Sequence, residues 1–378
     1  MTPDNMRVAL LHDYLREYGG AERVLEQLHQ IYPQAPVYTA FMDKDALGKQ
    51  TALFADWDIR ETDLTKLPFY KKLFSPYRVF AAWAWRRLNL DNYDLVISST
   101  NAYLAKAVEP PPTTKHLSYI HTPPRALYGY TTRTNWQSNP LIKFGGRLIN
   151  TYMRQVDFRS AQRPDILIAN SRTTAQRIKK FYRRDSVIIP PPVKLVDEQQ
   201  RRRLPIKSTS DRQYLLFVSR LVLSKHPEIA VQISNDTGWP LKIVGTGVME
   251  PELRAQAGPQ VEFLGAVDDD QLLKIYQNAK LLLYPAEDED FGIVPIEAMA
   301  LGTPVLAHYS GEPRYTIKPG FSGDHVRSLE TGDWLTTAKK LWSQSWQSDK
   351  IAKEVKQYSS QEFTKKIQQL VAKTVRQN

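Results

Sequence analysis

The sequence predicts an α/β protein made of two doubly wound domains. Its 378 residues are too many for one ordinary core and suit two domains. In each half of the chain, short apolar runs alternate with segments of helical spacing, which is typical of parallel sheets covered by helices. A proline-rich and charged stretch separates the two halves.

The first half begins with a strand, a pair of glycines and a helix. Residues 8–11 are all apolar, Gly19 and Gly20 follow, and helical spacing starts at Ala21. Short apolar runs bounded by polar turns are expected for strands buried on both faces of a parallel sheet. Further strands of this half are predicted at 94–98, 115–121 and 165–170, with a helix through 175–181 after the last of them.

The pattern stops at residues 187–192, which end in three prolines, and the polar stretch 197–212 follows. We interpret this region as a linker between domains. One domain then covers 1–195 and the other 196–363, and a C-terminal helix at 364–378 packs back on the first. Strands of the second domain are predicted at 214–218, 241–244, 261–264, 281–284 and 304–307.

The composition limits the class of protein and its partners. The net charge of +11 favours an anionic partner, which could be nucleic acid, lipid headgroups or a phosphorylated ligand. The segment 133–185 is especially basic, but it carries no recognised nucleic-acid-binding signature, so we expect no nucleic acid. The chain has no cysteine, and no signal-peptide or membrane-spanning pattern is evident, which favours the cytoplasm.

The most informative stretch is 285–307, where an acidic loop separates a strand from a helix. Backbone N–H groups at a helix N-terminus favour an anion, and Gly292 permits close approach of a ligand. Glu289, before the helix, and Glu297, on it, can each accept hydrogen bonds from sugar hydroxyls. From spacing alone, Glu289 could instead cap the helix and Glu297 could be a solvated residue.

This stretch resembles the paired-glutamate motif of retaining family 4 glycosyltransferases. The residues from Glu297 to Val305 also resemble the segment that follows the second glutamate in that family. The resemblance implies the GT-B fold, with two Rossmann-like domains facing each other across a cleft. It implies that Glu289 contacts the donor sugar and that Glu297 contacts the nucleotide ribose. The backbone amides implied to meet the sugar and diphosphate are those of Phe291, Gly292, Ile293 and Val294.

Other segments resemble the same family. Arg220 and Lys225 are similar to the pair that clamps the donor diphosphate, and a guanidinium fork and an ammonium both suit phosphate. By itself, such a pair could also be surface cations after a strand. The family usually has glycine after this lysine, whereas His226 stands here, a departure that concerns the local turn.

In the first domain, Gly19 and Gly20 resemble the loop that approaches the diphosphate from the opposite domain. His121, after a strand, matches a histidine near the reacting sugar. The resemblance implies that His121 orients the sugar and stabilises a developing oxocarbenium ion, without acting as nucleophile. Arg125 is expected to bind phosphate or acceptor, and Asn170 to contact a ligand at a strand end.

The first-domain segments are most similar to bacterial O-antigen and exopolysaccharide mannosyltransferases. This implies GDP-mannose as donor and a glycan or lipid-linked acceptor in cell-surface polysaccharide or glycolipid synthesis. A UDP-sugar donor or a nucleotide-sugar epimerase remains an alternative. We expect no cofactor and no metal, because the acidic residues 268–270 are interpreted as a helix N-cap.

The segment 66–87 combines six Lys/Arg residues and no acidic residue with several aromatic side chains. This composition is typical of docking on an anionic membrane, here beside a lipid-linked acceptor at the inner face of the cytoplasmic membrane. Alternatively, the aromatic side chains form the core of the first domain and line an acceptor groove. The two interpretations are compatible, and the sequence makes no prediction of oligomeric state.

Overall fold

The protein was analysed as a computed structural model that describes residues 6–130, 140–195 and 203–376, and within 140–148 only the backbone. The chain divides into two compact units. Unit 1 comprises Met1–Pro192 and Ser360–Asn378, and unit 2 comprises Val193–Ser359. The predicted linker residues 197–202, the first residues of the basic segment (133–139) and the last two of the C-terminal helix lie outside the described residues.

Unit 1 is built on a seven-stranded parallel sheet in the order β3-β2-β1-β4-β5-β6-β7. The order reverses between β1 and β4, which is where doubly wound sheets bind ligands at the carboxyl ends of their strands. Its strands are β1 (Val8–His12), β2 (Val37–Thr39), β3 (Ile59–Glu61), β4 (Leu95–Thr100), β5 (Lys115–Ile120), β6 (Ile166–Ala169) and β7 (Val187–Ile188).

Unit 2 is built on a six-stranded parallel sheet in the order β10-β9-β8-β11-β12-β13. The corresponding reversal lies between β8 and β11. Its strands are β8 (Tyr214–Val218), β9 (Leu241–Val244), β10 (Val261–Gly265), β11 (Ala279–Tyr284), β12 (Val305–His308) and β13 (Gly323–Val326).

Helices connect the strands of both sheets. Those of unit 1 are α1 (Gly20–Ile31), α2 (Lys44–Leu47), α3 (Phe74–Tyr77), α4 (Ala81–Arg86), α5 (Pro140–Ala161) and α6 (Arg172–Tyr182). Those of unit 2 are α7 (Pro227–Thr237), α8 (Glu250–Gln256), α9 (Asp269–Asn278), α10 (Ile293–Ala300), α11 (Pro313–Thr316), α12 (Thr331–Ser343) and α13 (Ser348–Glu354). The chain ends with α14 (Ser360–Arg376), which belongs to unit 1.

The C-terminal helix joins unit 1 through its apolar face. Phe363, Ile367 and Val371 recur at helical spacing and are buried in the same core as β1 and β4. The ring of Phe363 meets Tyr119 of β5 edge-on, with the ring centroids 6.0 Å apart. None of the described helices has the length and apolar character needed to cross a bilayer.

The structure corrects the interpretation of residues 203–212 as linker. Arg212 is only 3% exposed, and its guanidinium donates hydrogen bonds to the carbonyls of Ala279 (3.1 Å) and Leu301 (2.8 Å). Burial lowers the pKa of Arg212 to about 10. This part of the polar stretch therefore packs on unit 2, where the two terminal nitrogens of the buried guanidinium donate to carbonyl acceptors.

Candidate active site

The predicted donor-site residues of unit 2 lie at the carboxyl edge of its sheet, where the strand order reverses. Arg220 and Lys225 follow β8, and Glu289 follows β11, its neighbour in the sheet. Arg220 is exposed, and its carbonyl accepts a hydrogen bond from the Val222 N–H (3.0 Å). The two strand ends therefore bring cations and an acid from distant parts of the sequence to one edge.

Lys225 and Glu289 form a partly buried ion pair between Nζ and Oε2. The Tyr284 hydroxyl donates a second hydrogen bond to the same oxygen of Glu289 (3.0 Å). The Lys225 ammonium also lies 6.0 Å from the centroid of the Tyr284 ring, within cation–π range. The Lys225 ammonium and the Glu289 carboxylate thus lie side by side where β8 and β11 end.

Helix α10 begins next to this pair, with Gly292 as its N-cap residue. Gly292 has φ +83°, a conformation that glycine adopts without the steric cost borne by other residues. Phe291 is buried and packs edge-on against Tyr358, with centroids 5.7 Å apart. The first N–H groups of α10, from Ile293 onward, form an anion-favouring helix N-terminus.

Two observations bear on the alternative interpretations of the glutamates. The N-cap residue of α10 is Gly292 and not Glu289. Glu297 is not a freely solvated residue, because it is half-buried and accepts a hydrogen bond from the Tyr276 hydroxyl (3.1 Å). Tyr276 is itself buried on α9, so the carboxylate of Glu297 is held in a defined position.

The loop after β12 supports the acidic loop and was missed by the sequence analysis. Glu312 donates a backbone hydrogen bond to the Glu289 carbonyl (2.9 Å), and Ser310 accepts one from the Asp288 N–H (2.9 Å). A Cβ on Gly311 would lie only 2.2 Å from the Glu289 carbonyl oxygen. Only glycine lets the two loops approach so closely, and glycine also suits the φ of +62° at this position.

The residue after Lys225 has a left-handed backbone conformation. A glycine at this position, as is usual in the family it resembles, would adopt the same conformation without strain. His226 has φ +48° and is the N-cap of α7. Its Nδ1 lies 3.0 Å from Glu228 and its Nε2 lies 3.1 Å from Glu287 of the acidic loop. These hydrogen bonds and charges outweigh burial and raise the pKa of His226 above its usual value, so its imidazole ties the Lys225 turn to that loop.

The turn at Gly245 and Gly247 packs tightly on the chain after β8. A Cβ on Gly245 would lie 2.0 Å from the Ser219 carbonyl oxygen, and one on Gly247 would lie 2.2 Å from that of Leu221. The two glycines therefore fix the loop that carries Arg220.

In unit 1, the predicted residues also lie at the carboxyl edge of the sheet. Gly19 is the N-cap of α1, and its N–H donates to the Glu22 carboxylate (2.8 Å). His121 follows β5 directly, and its carbonyl accepts a hydrogen bond from the Thr174 hydroxyl (3.2 Å). Arg125 begins a short 3₁₀-helix, Arg125–Leu127, and is half-buried.

The ring of His121 is hydrogen-bonded to Ser99, which links it to a second histidine, His12. Its Nε2 lies 2.8 Å from the Ser99 hydroxyl, and that hydroxyl lies 3.1 Å from Nδ1 of His12. Burial lowers the pKa of His121 to about 4. The ring of His121 is therefore neutral at physiological pH.

Asn170 follows β6 and is buried, and its side-chain oxygen makes no hydrogen bond within the part of the chain that the structure describes. Buried polar atoms are nearly always paired, so such an atom is a position where a ligand or water can bind.

Asp13, at the end of β1, is a buried residue that the sequence analysis missed. Its carboxylate accepts four hydrogen bonds from the loop after β4: from the hydroxyl of Thr100 and the backbone N–H groups of Asn101, Tyr103 and Ala105, at 2.7–2.9 Å. It therefore shapes the loop next to Ser99.

The acidic residues 268–270 lie as predicted at the start of a helix. Asp268 is the N-cap of α9 and accepts a hydrogen bond from the Gln271 N–H (2.8 Å). Across the described ranges, no three His, Asp or Glu side chains are grouped so that they could hold a metal ion.

The segment 66–87 divides between core and surface. Trp85 is buried, with its indole N–H donating to the Tyr103 carbonyl (2.7 Å). Phe69, Phe80 and Trp83 are 72%, 48% and 49% exposed. Several cations of the segment pair with acids from elsewhere in unit 1, as the contacts Lys71–Asp45 (3.1 Å), Arg87–Asp63 (3.0 Å) and Arg86–Glu109 (3.7 Å) show.

Two parallel doubly wound sheets, each with polar groups gathered where its strand order reverses, define a doubly wound α/β class whose ligands bind at that reversal. Family sequence models agree along most of the chain. The model described as Glycosyltransferase Family 4 matches residues 18–196, and the one described as Glycosyl transferases group 1 matches residues 197–362. The chain belongs to the family 4 glycosyltransferases, which confirms the family, whereas the mannosyltransferase subgroup stays a prediction.

Curated relatives match in part. A D-inositol 3-phosphate glycosyltransferase of Nocardia farcinica is 30% identical over 194 residues, 45% of this chain and 43% of that protein. An uncharacterized glycosyltransferase of Methanocaldococcus jannaschii is 33% identical over 184 residues, 42% of this chain and 47% of that protein. The chain thus spans about half the length of the curated relatives it matches.

Solved structures match along nearly the whole chain. Sucrose-phosphate synthase of Thermosynechococcus elongatus superposes with a TM-score of 0.72 at 17% identity, covering 98% of this chain and 100% of that chain. The lipopolysaccharide outer core galactosyltransferase WaaB gives 0.66 at 17% identity with the same coverage. HepE of Anabaena in complex with UDP-glucose gives 0.63 at 19% identity, covering 99% and 100%. These likenesses confirm the predicted fold class.

Proposed function

We propose that the protein is a retaining glycosyltransferase that binds a nucleotide-sugar at the carboxyl edge of the unit 2 sheet and transfers the sugar to a glycan or lipid-linked acceptor. The observation that carries this proposal is the contact of Lys225 with Glu289 beside the N-terminus of α10. A cation and helix N–H groups suit a diphosphate, and an adjacent carboxylate suits the hydroxyls of the attached sugar.

Each residue of this edge has a proposed role. Arg220 and Lys225 bind the diphosphate together with the N–H groups of residues 291–294. Glu289 accepts hydrogen bonds from the sugar. Glu297, held by Tyr276, accepts hydrogen bonds from the ribose.

In unit 1, we propose that His121 orients the reacting sugar, and that Arg125 and Asn170 bind acceptor or phosphate. Transfer with retention breaks the bond between the anomeric carbon and the phosphate oxygen. The new bond to the acceptor oxygen forms on the same face of the sugar, and the acceptor proton passes to the leaving phosphate. The neutral ring of His121 stabilises the developing positive charge without forming a covalent bond.

For the donor, we propose GDP-mannose, which rests on the likeness of the first-domain segments to mannosyltransferases. A UDP-sugar is the alternative donor, and HepE, which shares the fold, was solved with UDP-glucose. A nucleotide-sugar epimerase would interconvert nucleotide-sugars without an acceptor, which distinguishes it from a transferase.

A thermal-shift panel of GDP, UDP, ADP and dTDP with their sugars tests the proposal. A ligand that binds the folded state raises the melting temperature by mass action, and GDP-mannose should raise it most. Lys225→Met and Glu297→Gln should abolish most of the shift. Lys242→Met is the matched control, because Lys242 is also ion-paired in unit 2 (to Glu262, 3.1 Å) but lies within strand β9. Absence of a shift with every nucleotide, or an equal loss in the control, would contradict the proposal.

We also propose that unit 1 docks on an anionic membrane through the exposed side chains of Phe69, Phe80 and Trp83. Apolar and aromatic side chains at a surface, with cations close by, are suited to the lipid interface. Co-sedimentation with phosphatidylglycerol vesicles tests this. Phe69→Ser with Trp83→Ser should release the protein, as should charge reversal of Lys71, Lys72, Arg86 and Arg87. Unchanged sedimentation of both variants would refute docking.

A further inference from the structure

Four buried or half-buried side chains of unit 1 form a continuous hydrogen-bonded chain across the point where its strand order reverses. Glu22 of α1 lies 3.4 Å from Nε2 of His12, at the end of β1. Nδ1 of His12 lies 3.1 Å from the hydroxyl of Ser99 on β4, which lies 2.8 Å from Nε2 of His121. The chain thus begins at a carboxylate and ends at the proposed sugar-contacting histidine.

The carboxylate sets the direction of the first hydrogen bond. Burial raises the pKa of Glu22, but the hydrogen bond from His12 and those from two backbone N–H groups outweigh it, so the net pKa lies below its usual value. Glu22 is therefore ionised at neutral pH. An ionised carboxylate only accepts hydrogen bonds, so Nε2 of His12 carries a proton and donates it to Glu22.

The directions of the other two hydrogen bonds follow from the number of ring protons on His12 and His121. When the Nε2 proton is the only ring proton of His12, its Nδ1 atom has a lone pair and accepts from the Ser99 hydroxyl. The Ser99 oxygen, having donated its proton, accepts from Nε2–H of His121. The neutral ring of His121 then has its lone pair on Nδ1, the nitrogen that faces away from Ser99.

We propose that Glu22 and His12 are positioning residues for His121, and that they act through Ser99 to fix which of its ring nitrogens carries the proton. His121 can then accept a hydrogen bond at Nδ1 from a sugar hydroxyl, whereas the other tautomer would donate one. This consequence for the sugar rests on the proposed function. Glu22 also holds the N–H of Gly19 (2.8 Å), so one carboxylate orders both the glycine loop and the histidine.

Each variant removes, keeps or alters one hydrogen bond between Glu22 and His121. Ser99→Ala removes the hydroxyl that connects the two rings, and Ser99→Thr retains it on a residue that suits a strand. Glu22→Gln replaces a pure acceptor by an amide that both donates and accepts, which removes the fixed direction. Ser98→Ala is the matched control, because Ser98 is the neighbouring residue of β4, is equally buried, and hydrogen-bonds to a different histidine, His116 (2.9 Å).

The test is NMR of protein labelled with ¹⁵N-histidine at pH 8, with the His121 signals identified by their loss in His121→Asn. In the unmodified protein, His121 should show a single tautomer with the proton on Nε2. Ser99→Ala and Glu22→Gln should give a mixture of tautomers, and Ser99→Thr and Ser98→Ala should keep the single form. A His121 tautomer unaffected by both Ser99→Ala and Glu22→Gln would overturn the proposal, as would an equal change in Ser98→Ala.

Transfer kinetics provide the second readout. Partners that orient a functional histidine typically contribute about 10- to 100-fold. We expect kcat to fall by about that factor in Ser99→Ala and Glu22→Gln, with KM for the donor little changed and recovery in Ser99→Thr. If the thermal-shift panel and transfer assays show no nucleotide-sugar chemistry, the proposed function fails, while the NMR measurement still decides the tautomer.

Discussion

Lys225 and Glu289 form an ion pair although 64 residues separate them in the chain. Their contact lies where the ends of β8 and β11 adjoin, and both residues have proposed roles toward the same donor, one at the phosphate and one at the sugar. Within the chain, each of these charges is paired with the other. The pair therefore makes it possible to separate the phosphate contribution to binding from the sugar contribution.

Lys225→Met should weaken the binding of GDP alone and of GDP-mannose alike. Loss of a charge-assisted hydrogen bond costs about 1.5–3 kcal/mol, or roughly 10- to 150-fold in affinity. Glu289→Gln should leave GDP affinity unchanged or higher, because Lys225 is freed, and should weaken only the sugar nucleotide. Isothermal titration calorimetry measures both ligands on both variants. Equal losses for GDP and GDP-mannose in Glu289→Gln would speak against a sugar contact.

Gly311→Ala should disable the donor site without touching a ligand. The added Cβ would collide with the Glu289 backbone, which must move away, so donor affinity should fall at least about tenfold. Gly320→Ala is the control, because Gly320 has φ +75° but open space around its Cβ position. It should show only the left-handed strain of about 1–2 kcal/mol in stability, with donor affinity intact. Equal donor affinity in the two variants would show that the close approach at 311 is unimportant.

His226 should make the stability of unit 2 depend on pH. Its folded-state pKa is raised, chiefly by the hydrogen bond to Glu228 and also by Glu287, so its stabilising effect is present below the ordinary pKa of about 6.5. The effect is lost as the pH rises through the raised value. His226→Asn, which tolerates the left-handed backbone, removes the charge. The difference in urea stability between the two proteins should be largest near pH 5.5 and should shrink by pH 8.5, and a constant difference would contradict the assignment.

The fully buried ion pair of Lys106 and Asp157 (2.6 Å) should be essential to unit 1. Asp157 also accepts hydrogen bonds from the hydroxyls of Tyr128 (2.7 Å) and Tyr182 (3.2 Å). Lys106→Met leaves a buried carboxylate without its cation, which costs about 3–5 kcal/mol. Lys179→Met breaks an exposed pair with Asp185 and should cause no measurable loss in a urea titration. Similar midpoints for the two variants would show that the buried pair contributes little.

The central strands could be predicted because their residues are apolar on both faces. β1, β8 and β11 lie inside a parallel sheet and consist mainly of apolar residues, and β4 begins with the apolar run Leu-Val-Ile. The missed strands are short or polar: β3 carries Arg60 and Glu61, and β13 reads Gly-Asp-His-Val. Their strand conformation comes from pairing with β2 and β12, which no local pattern reveals.

The family motif indicated the residues of the proposed donor site, but not those that hold them in place. Ser99, Asp13 and Gly311 act through contacts with residues far away in the chain, and none stands out in its local sequence. The same limit applies to the segment 66–87. Because it contains no acidic residue, it suggested a cationic surface for membrane docking, but the fold places Asp45, Asp63 and Glu109 next to its cations.

We propose above all that the groups at the carboxyl edge of the unit 2 sheet bind one nucleoside diphosphate. A crystal structure of the protein with GDP measures this directly. We expect diphosphate oxygens within about 3.2 Å of Lys225 Nζ, the Arg220 guanidinium and an N–H at the start of α10, with the ribose on Glu297. GDP bound away from this edge, or with its diphosphate turned from Lys225 and α10, would contradict the proposal.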